Sequence, residues 1–145
     1  MTSRLTNEHE IGFVSSFIIP ERRERYLSLL GNPKRRGKLL NRLNHAQDVD
    51  LSFARPVPPG CIGESLAVLL EQMGAGETCY VIADASDMDR QSMDLREALW
   101  RASVHGFGVV LSCVPGRLCF YKPESPTTSF ILERKIRSSS GARRS

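Results

Sequence analysis

The stretch Arg55-Pro56-Val57-Pro58-Pro59-Gly60 constrains the fold more than any other part of this chain. Proline lacks a backbone N–H and has a fixed φ, so the segment cannot be helical and is poorly suited to a paired central strand. It divides the sequence in two. Before it, apolar residues recur at helical spacing; after it, they run in short blocks that suit strands. The chain therefore reads as a single α+β domain over residues 1–135, followed by a tail, 136–145. Within the domain, 1–45 is a basic helical part, 46–60 a Pro-rich connector and 61–135 the sheet-containing part.

Three helices are predicted ahead of the connector. Thr6 is placed to cap the first, with Glu8 and Glu10 in its positively polarised first turn. Ile11, Val14, Phe17 and Ile18 form its apolar face. Pro20 ends that helix and opens the second, which runs to Leu30 with Tyr26, Leu27, Leu29 and Leu30 inward. Gly31 suits the left-handed residue past a helix end. Asn32-Pro33 then supplies the cap and first-turn residue of a third helix to about Asn44, buried through Leu39, Leu40 and Leu43.

Beyond the connector, a short helix from Ile62 to Met73 is stopped by Gly74-Ala75-Gly76. The period then changes. Thr78–Ala83 is a nearly continuous run of strand formers, as suits a buried strand. After the polar loop Asp84 to Gln91, Ser92 reads as the cap of a helix from Met93 to about Val104, ended by Gly106. Two strands, Phe107–Val114 and Arg117–Tyr121, flank the turn Pro115-Gly116, and a last strand, Ser129–Lys135, follows a second Pro-rich connector. This order predicts an α+β fold: a small mixed or antiparallel sheet of about four strands with helices packed on one face. The Ser- and Arg-rich tail has little to bury and is predicted to be disordered.

With 145 residues, 41% hydrophobic and 25% charged, the chain has ordinary globular composition. No apolar run approaches the roughly 18 residues that cross a bilayer, and the N-terminus turns acidic where a secretory leader is apolar. A cytoplasmic location and no membrane partner are expected. Cys61, Cys79, Cys113 and Cys119 contain no C-x-x-C pair, and two of them sit inside apolar runs. Buried thiols are expected rather than disulfides or zinc ligands.

The net charge of +4 is unevenly spread. Residues 1–45 carry +5, residues 46–133 carry −6, and residues 134–145 carry +5. The most concentrated basic feature lies on the third helix, where Arg35, Lys38, Arg42 and His45 recur at spacings that place them on one face. Arg22, Arg23 and Arg25 lie on the helix before it, and Lys34 and Arg36 flank the turn. Two helices joined by Gly31-Asn32-Pro33, the second one basic, have the order of a helix-turn-helix. Cationic side chains so clustered neutralise phosphates and release counterions. Amphipathic helices also carry charge on their solvent side as a matter of course, and Glu21 and Glu24 can pair with part of the patch.

The acidic loop Asp84-Ala85-Ser86-Asp87-Met88-Asp89 is the candidate for catalysis. It leaves the carboxyl end of a predicted buried strand, and its carboxylates are the ligand type that Mg²⁺ takes. It is not an EF-hand loop: counted from Asp87, Ser92 and Ala98 stand where Gly and Glu are required. Cys113-Val114-Pro115-Gly116-Arg117 lacks the Cys-x₅-Arg spacing of a phosphate-binding thiolate loop, because Cys119 occupies the Arg position. With a two-residue turn, Ser112 opposes Cys119 and the two cysteines face opposite sides of the sheet, whereas a bulge at Gly116 would shift that register. His9, His45 and His105 lie on three segments without metal-ligand spacing. Trp100 is assigned to core packing on its helix.

The leading expectation is a non-enzymatic binding or adaptor protein. It uses Arg22, Arg23, Arg35, Lys38, Arg42 and His45 to contact an acidic protein or nucleic acid, and needs no cofactor. The second is a small hydrolase or transferase holding Mg²⁺ on Asp84, Asp87 and Asp89.

Overall fold

The computed structural model describes residues 7–84, 87–104, 108–124 and 128–135. Thr6, Gly106 and the tail from 136, each assigned a part above, lie outside the described residues. Asn7 caps helix α1 (Glu8–Phe17) by accepting from the N–H groups of His9 and Glu10. Pro20 opens α2 (Pro20–Leu29), and Asn32 caps α3 (Pro33–Asn44) through the Lys34 N–H, with Pro33 at the first helical position. A 3₁₀ turn (Leu51–Phe53) leads to β1 (Ala54–Pro56), and α4 (Gly63–Gln72) follows the prolines.

The second half supplies β2 (Thr78–Ala83), β3 (Ser92–Asp94), α5 (Leu95–Val104), β4 (Val109–Val114), β5 (Leu118–Lys122) and β6 (Phe130–Glu133). The strands form one sheet in the order β1-β6-β5-β4-β2-β3, every neighbouring pair antiparallel. The α+β class is as predicted, but the sheet has six strands, not four. Both additions are three-residue edge strands, each too short to announce itself by periodicity. Part of the Pro-rich segment pairs after all, as β1 against β6, where Pro56 at the sheet edge costs no ladder partner. Ser92 does not cap a helix: it pairs with Tyr80 in β3, and the Asp94 side chain accepts from the Glu97 N–H as α5 begins.

Helices cover both faces of the sheet, where one was predicted. Phe13, Val14 and Phe17 of α1, Tyr26 and Leu30, and Leu39, Leu40 and Leu43 of α3 pack on Tyr80, Ile82, Val110, Cys119, Tyr121 and Leu132. On the other face, Leu66 and Leu70 of α4 and Leu95, Leu99 and Ala102 of α5 pack on Cys79, Val81, Leu111, Leu118, Phe120 and Ile131. Successive residues of β2 alternate between the two cores, which is why that strand reads as unbroken apolar sequence. The first 45 residues thus share a core with the sheet.

The β4–β5 hairpin opposes Ser112 to Cys119 as expected, but then shifts register at Cys113 so that Val114 faces Leu118. The turn has three residues, with Gly116 at φ +72°. Cys113 and Cys119 lie in different cores. This hairpin tip rests on α1, where a Cβ on Gly12 would meet the Gly116 nitrogen at 2.5 Å.

Candidate functional site

The basic residues of α2 and α3 divide into structural and free groups. Arg42 grips Asp48 through two hydrogen bonds, Nε to Oδ2 at 2.6 Å and Nη2 to Oδ1 at 3.0 Å. Tyr26 donates its hydroxyl to the same carboxylate at 2.6 Å, and Arg22 lies 3.7 Å from it. Asp48 stands in the left-handed region at φ 72°, and its carbonyl accepts from the Ile19 N–H. The clamp therefore ties the segment after α3 to the α1–α2 junction. Burial works against the Asp48 charge, but the hydrogen bonds from Arg42 and Tyr26 outweigh it and hold the carboxyl below its ordinary value. Arg23 donates Nε to the Ile18 carbonyl, and His45 donates Nδ1 to the Asn41 carbonyl one helical turn back.

Arg36, which the sequence places beside the turn, is buried. Its guanidinium donates to Glu10 (Nη2 to Oε2, 2.7 Å) and forks onto Asp89 (Nε to Oδ2, 2.7 Å; Nη2 to Oδ1, 2.8 Å). A further bond reaches the Leu30 carbonyl. Tyr80 donates its hydroxyl to Glu10 at 2.9 Å, and His9 stacks on the Tyr80 ring while its Nδ1 meets Ser112 Oγ at 2.8 Å. Burial disfavours the Arg36 cation, yet its bonds to Asp89 and Glu10 hold its pKa above the usual arginine value. This network joins α1, α3, β2 and the loop before β3 inside the first core. Ser112 within it is fully buried, so it presents no nucleophile to solvent.

The three loop aspartates are consequently unlike one another. Asp89 is committed: both oxygens serve Arg36, and Oδ1 also accepts from the Ala83 N–H at 3.0 Å. Asp84 and Asp87 are exposed; Asn44 Nδ2 lies 3.4 Å from the Asp84 carboxylate, and the Asp87 carbonyl accepts from the Gln91 side chain. Ala85 and Ser86 between them lie outside the described residues. Among the described residues, no group of three His, Cys, Asp or Glu side chains comes together as a metal ligand set. Three of the four thiols are quiet as well. Burial pushes Cys113 up to about 12 and also raises Cys79 and Cys119 well above the ordinary thiol value, so none of these three is a thiolate near neutrality.

On α3, what remains chemically free is Lys34, Arg35 and Lys38. All three are exposed, and none has an ion-pair or side-chain hydrogen-bond partner among the described residues. Lys34 and Arg35 sit in the first turn of α3, which contains no acidic residue. That is the end where the helix dipole is positive and cations are disfavoured. Trp100 is not in the core: it is 63% exposed on the solvent side of α5. Among the described residues, no helix is long and apolar enough to cross a membrane. Comparison with protein-family models, curated proteins and solved structures finds no match, so the geometry of these side chains carries the functional reading.

Proposed function

We propose that this protein is a non-enzymatic binding module whose α3 face docks an acidic partner, and that the partner is a nucleic-acid backbone. One observation carries the reading: Lys34, Arg35 and Lys38 are grouped, exposed and unneutralised among the described residues, the first two of them in the positively polarised first turn of a helix. Local electrostatics disfavours such a cluster, and a local rule broken without compensation inside the protein is the mark of a functional surface. Phosphates supply the missing counter-charge, aided by the same dipole that the cations oppose. Arg22, Arg42 and Arg36 anchor the helices that carry the face, the first two through Asp48 and the third through Glu10 and Asp89.

The test is binding to labelled duplex and single-stranded oligonucleotides across a salt series. Arg35→Ala with Lys38→Ala is expected to weaken binding across sequences and to lower the salt slope by about two. Removing residues 136–145 should leave that slope contribution in place. Binding indifferent to the double substitution, or lost with the tail alone, would remove the nucleic-acid reading. An acidic protein surface would then be the partner to screen.

A further inference from the structure

The second core opens at one end into a cavity of about 420 Å³ that the reading above does not use. Leu66, Leu99 and Phe120 form its floor, each at most 5% exposed. Its lip is the Pro-rich segment at Val57 and Pro58. That lip is held in place: the Val57 N–H bonds to the Ser129 carbonyl at 2.9 Å, and the Cys61 N–H closes a turn onto the Pro58 carbonyl at 3.0 Å. A backbone stiffened by prolines and pinned at both ends is a preorganised wall, which lowers the ordering cost of binding.

One charge faces this apolar space. Lys122 ends β5, and strand alternation puts it on the same side as Phe120, away from Tyr121. It lines the cavity and is the one charged side chain among the described lining residues. No described acidic residue pairs with it. An apolar chamber of this size, within the roughly 300–1,000 Å³ typical of ligand pockets, with a single cation at its margin, matches a ligand with an apolar body and one negative head. We propose that the cavity binds a small amphipathic carboxylate, an acyl or arylalkyl acid, with its carboxylate on Lys122 and its tail against Leu66, Leu99 and Phe120.

Trp100, the single tryptophan of the chain, precedes the cavity-lining Ser103 by one turn of α5 and serves as the reporter. Decanoate, decanol and decyltrimethylammonium are titrated against the full chain, following Trp100 emission and heat, below the micellar concentration of each. Decanoate should bind at a one-to-one ratio and about tenfold more tightly than decanol, the margin expected of a charge-assisted contact. Lys122→Gln should bring the acid to the level of the alcohol. That ratio is internal to each variant, so a change in its stability does not mimic the result. Ser103→Phe, at an exposed position, fills the cavity and should abolish both. Equal affinity for acid and alcohol, a preference that survives Lys122→Gln, binding undiminished by Ser103→Phe, or no saturable binding would each overturn the proposal.

Discussion

His9 shows how one residue's setting becomes a property of the whole chain. Half-buried in the first turn of α1, its ring is stacked on Tyr80 and joined to the buried Ser112 of the sheet. Burial lowers its pKa below the ordinary 6.5, partly offset by the nearby Glu8. The folded state therefore resists protonation more than the unfolded chain does. Well above pH 6.5 both states are neutral at this residue and it adds no pH dependence. As pH falls below that value the unfolded state gains the proton first, so stability declines until the folded state also protonates. Urea denaturation from pH 7.5 down toward the carboxylate range should show this decline, and His9→Gln should flatten it. A slope unchanged by the substitution would mean that the ring is solvated.

At the scale of elements, two glycines in helices make opposite predictions. Gly37, within α3, has nothing within 4 Å of the place a Cβ would occupy. Gly37→Ala should stabilise the protein by about 0.5–1 kcal/mol, by removing backbone freedom from the unfolded chain. Gly12 in α1 faces backbone atoms of Pro115 and Gly116, which cannot rotate aside. Gly12→Ala should cost roughly 1–3 kcal/mol in spite of its better helix propensity, because α1 must lift from the hairpin. Thermal melts of the two variants beside the parent would separate these cases. Sequence spacing reveals both as glycines in helices and nothing more; the difference lies in a hairpin more than 100 residues away from Gly12. The same holds for Ser92: its place before an apolar period resembles a cap, but pairing with Tyr80 makes it an edge strand.

At the scale of the molecule, adjacent arginines separate architecture from surface. Arg36 links Glu10 of α1 to Asp89 beyond β2, whereas Arg35 next to it is exposed. Arg36→Met should destabilise the fold by about 3–5 kcal/mol, since it leaves two carboxylates without their counter-charge. Arg35→Ala should stay within about 0.5 kcal/mol. Chemical denaturation of both measures the contrast, and equal effects would deny the network its structural role.

Much of this was written in the sequence. Asn32-Pro33, Pro20 and the spacing of Leu39, Leu40 and Leu43 determine helices because capping and periodicity act over a few neighbouring residues. Even the buried pair left a trace: Glu10 precedes Phe13, Val14 and Phe17, and Arg36 precedes Leu39, Leu40 and Leu43, by the same steps of three, four and seven. Each charge thus lies on its helix's apolar stripe. The unbroken apolar run of β2 likewise implies cover on both faces, more than the single helical layer predicted from element order. Tertiary structure alone decided which charges are spent. Arg22 and Arg42 meet Asp48, Arg36 meets Asp89 across 53 residues, and Lys34, Arg35 and Lys38 are left without a charged partner among the described residues. Lys122 likewise acquires its apolar cavity only when the Pro-rich segment folds beside β6. Charge pairing and cavity formation depend on distance in space, and spacing along a chain encodes that distance only within a helix or a strand.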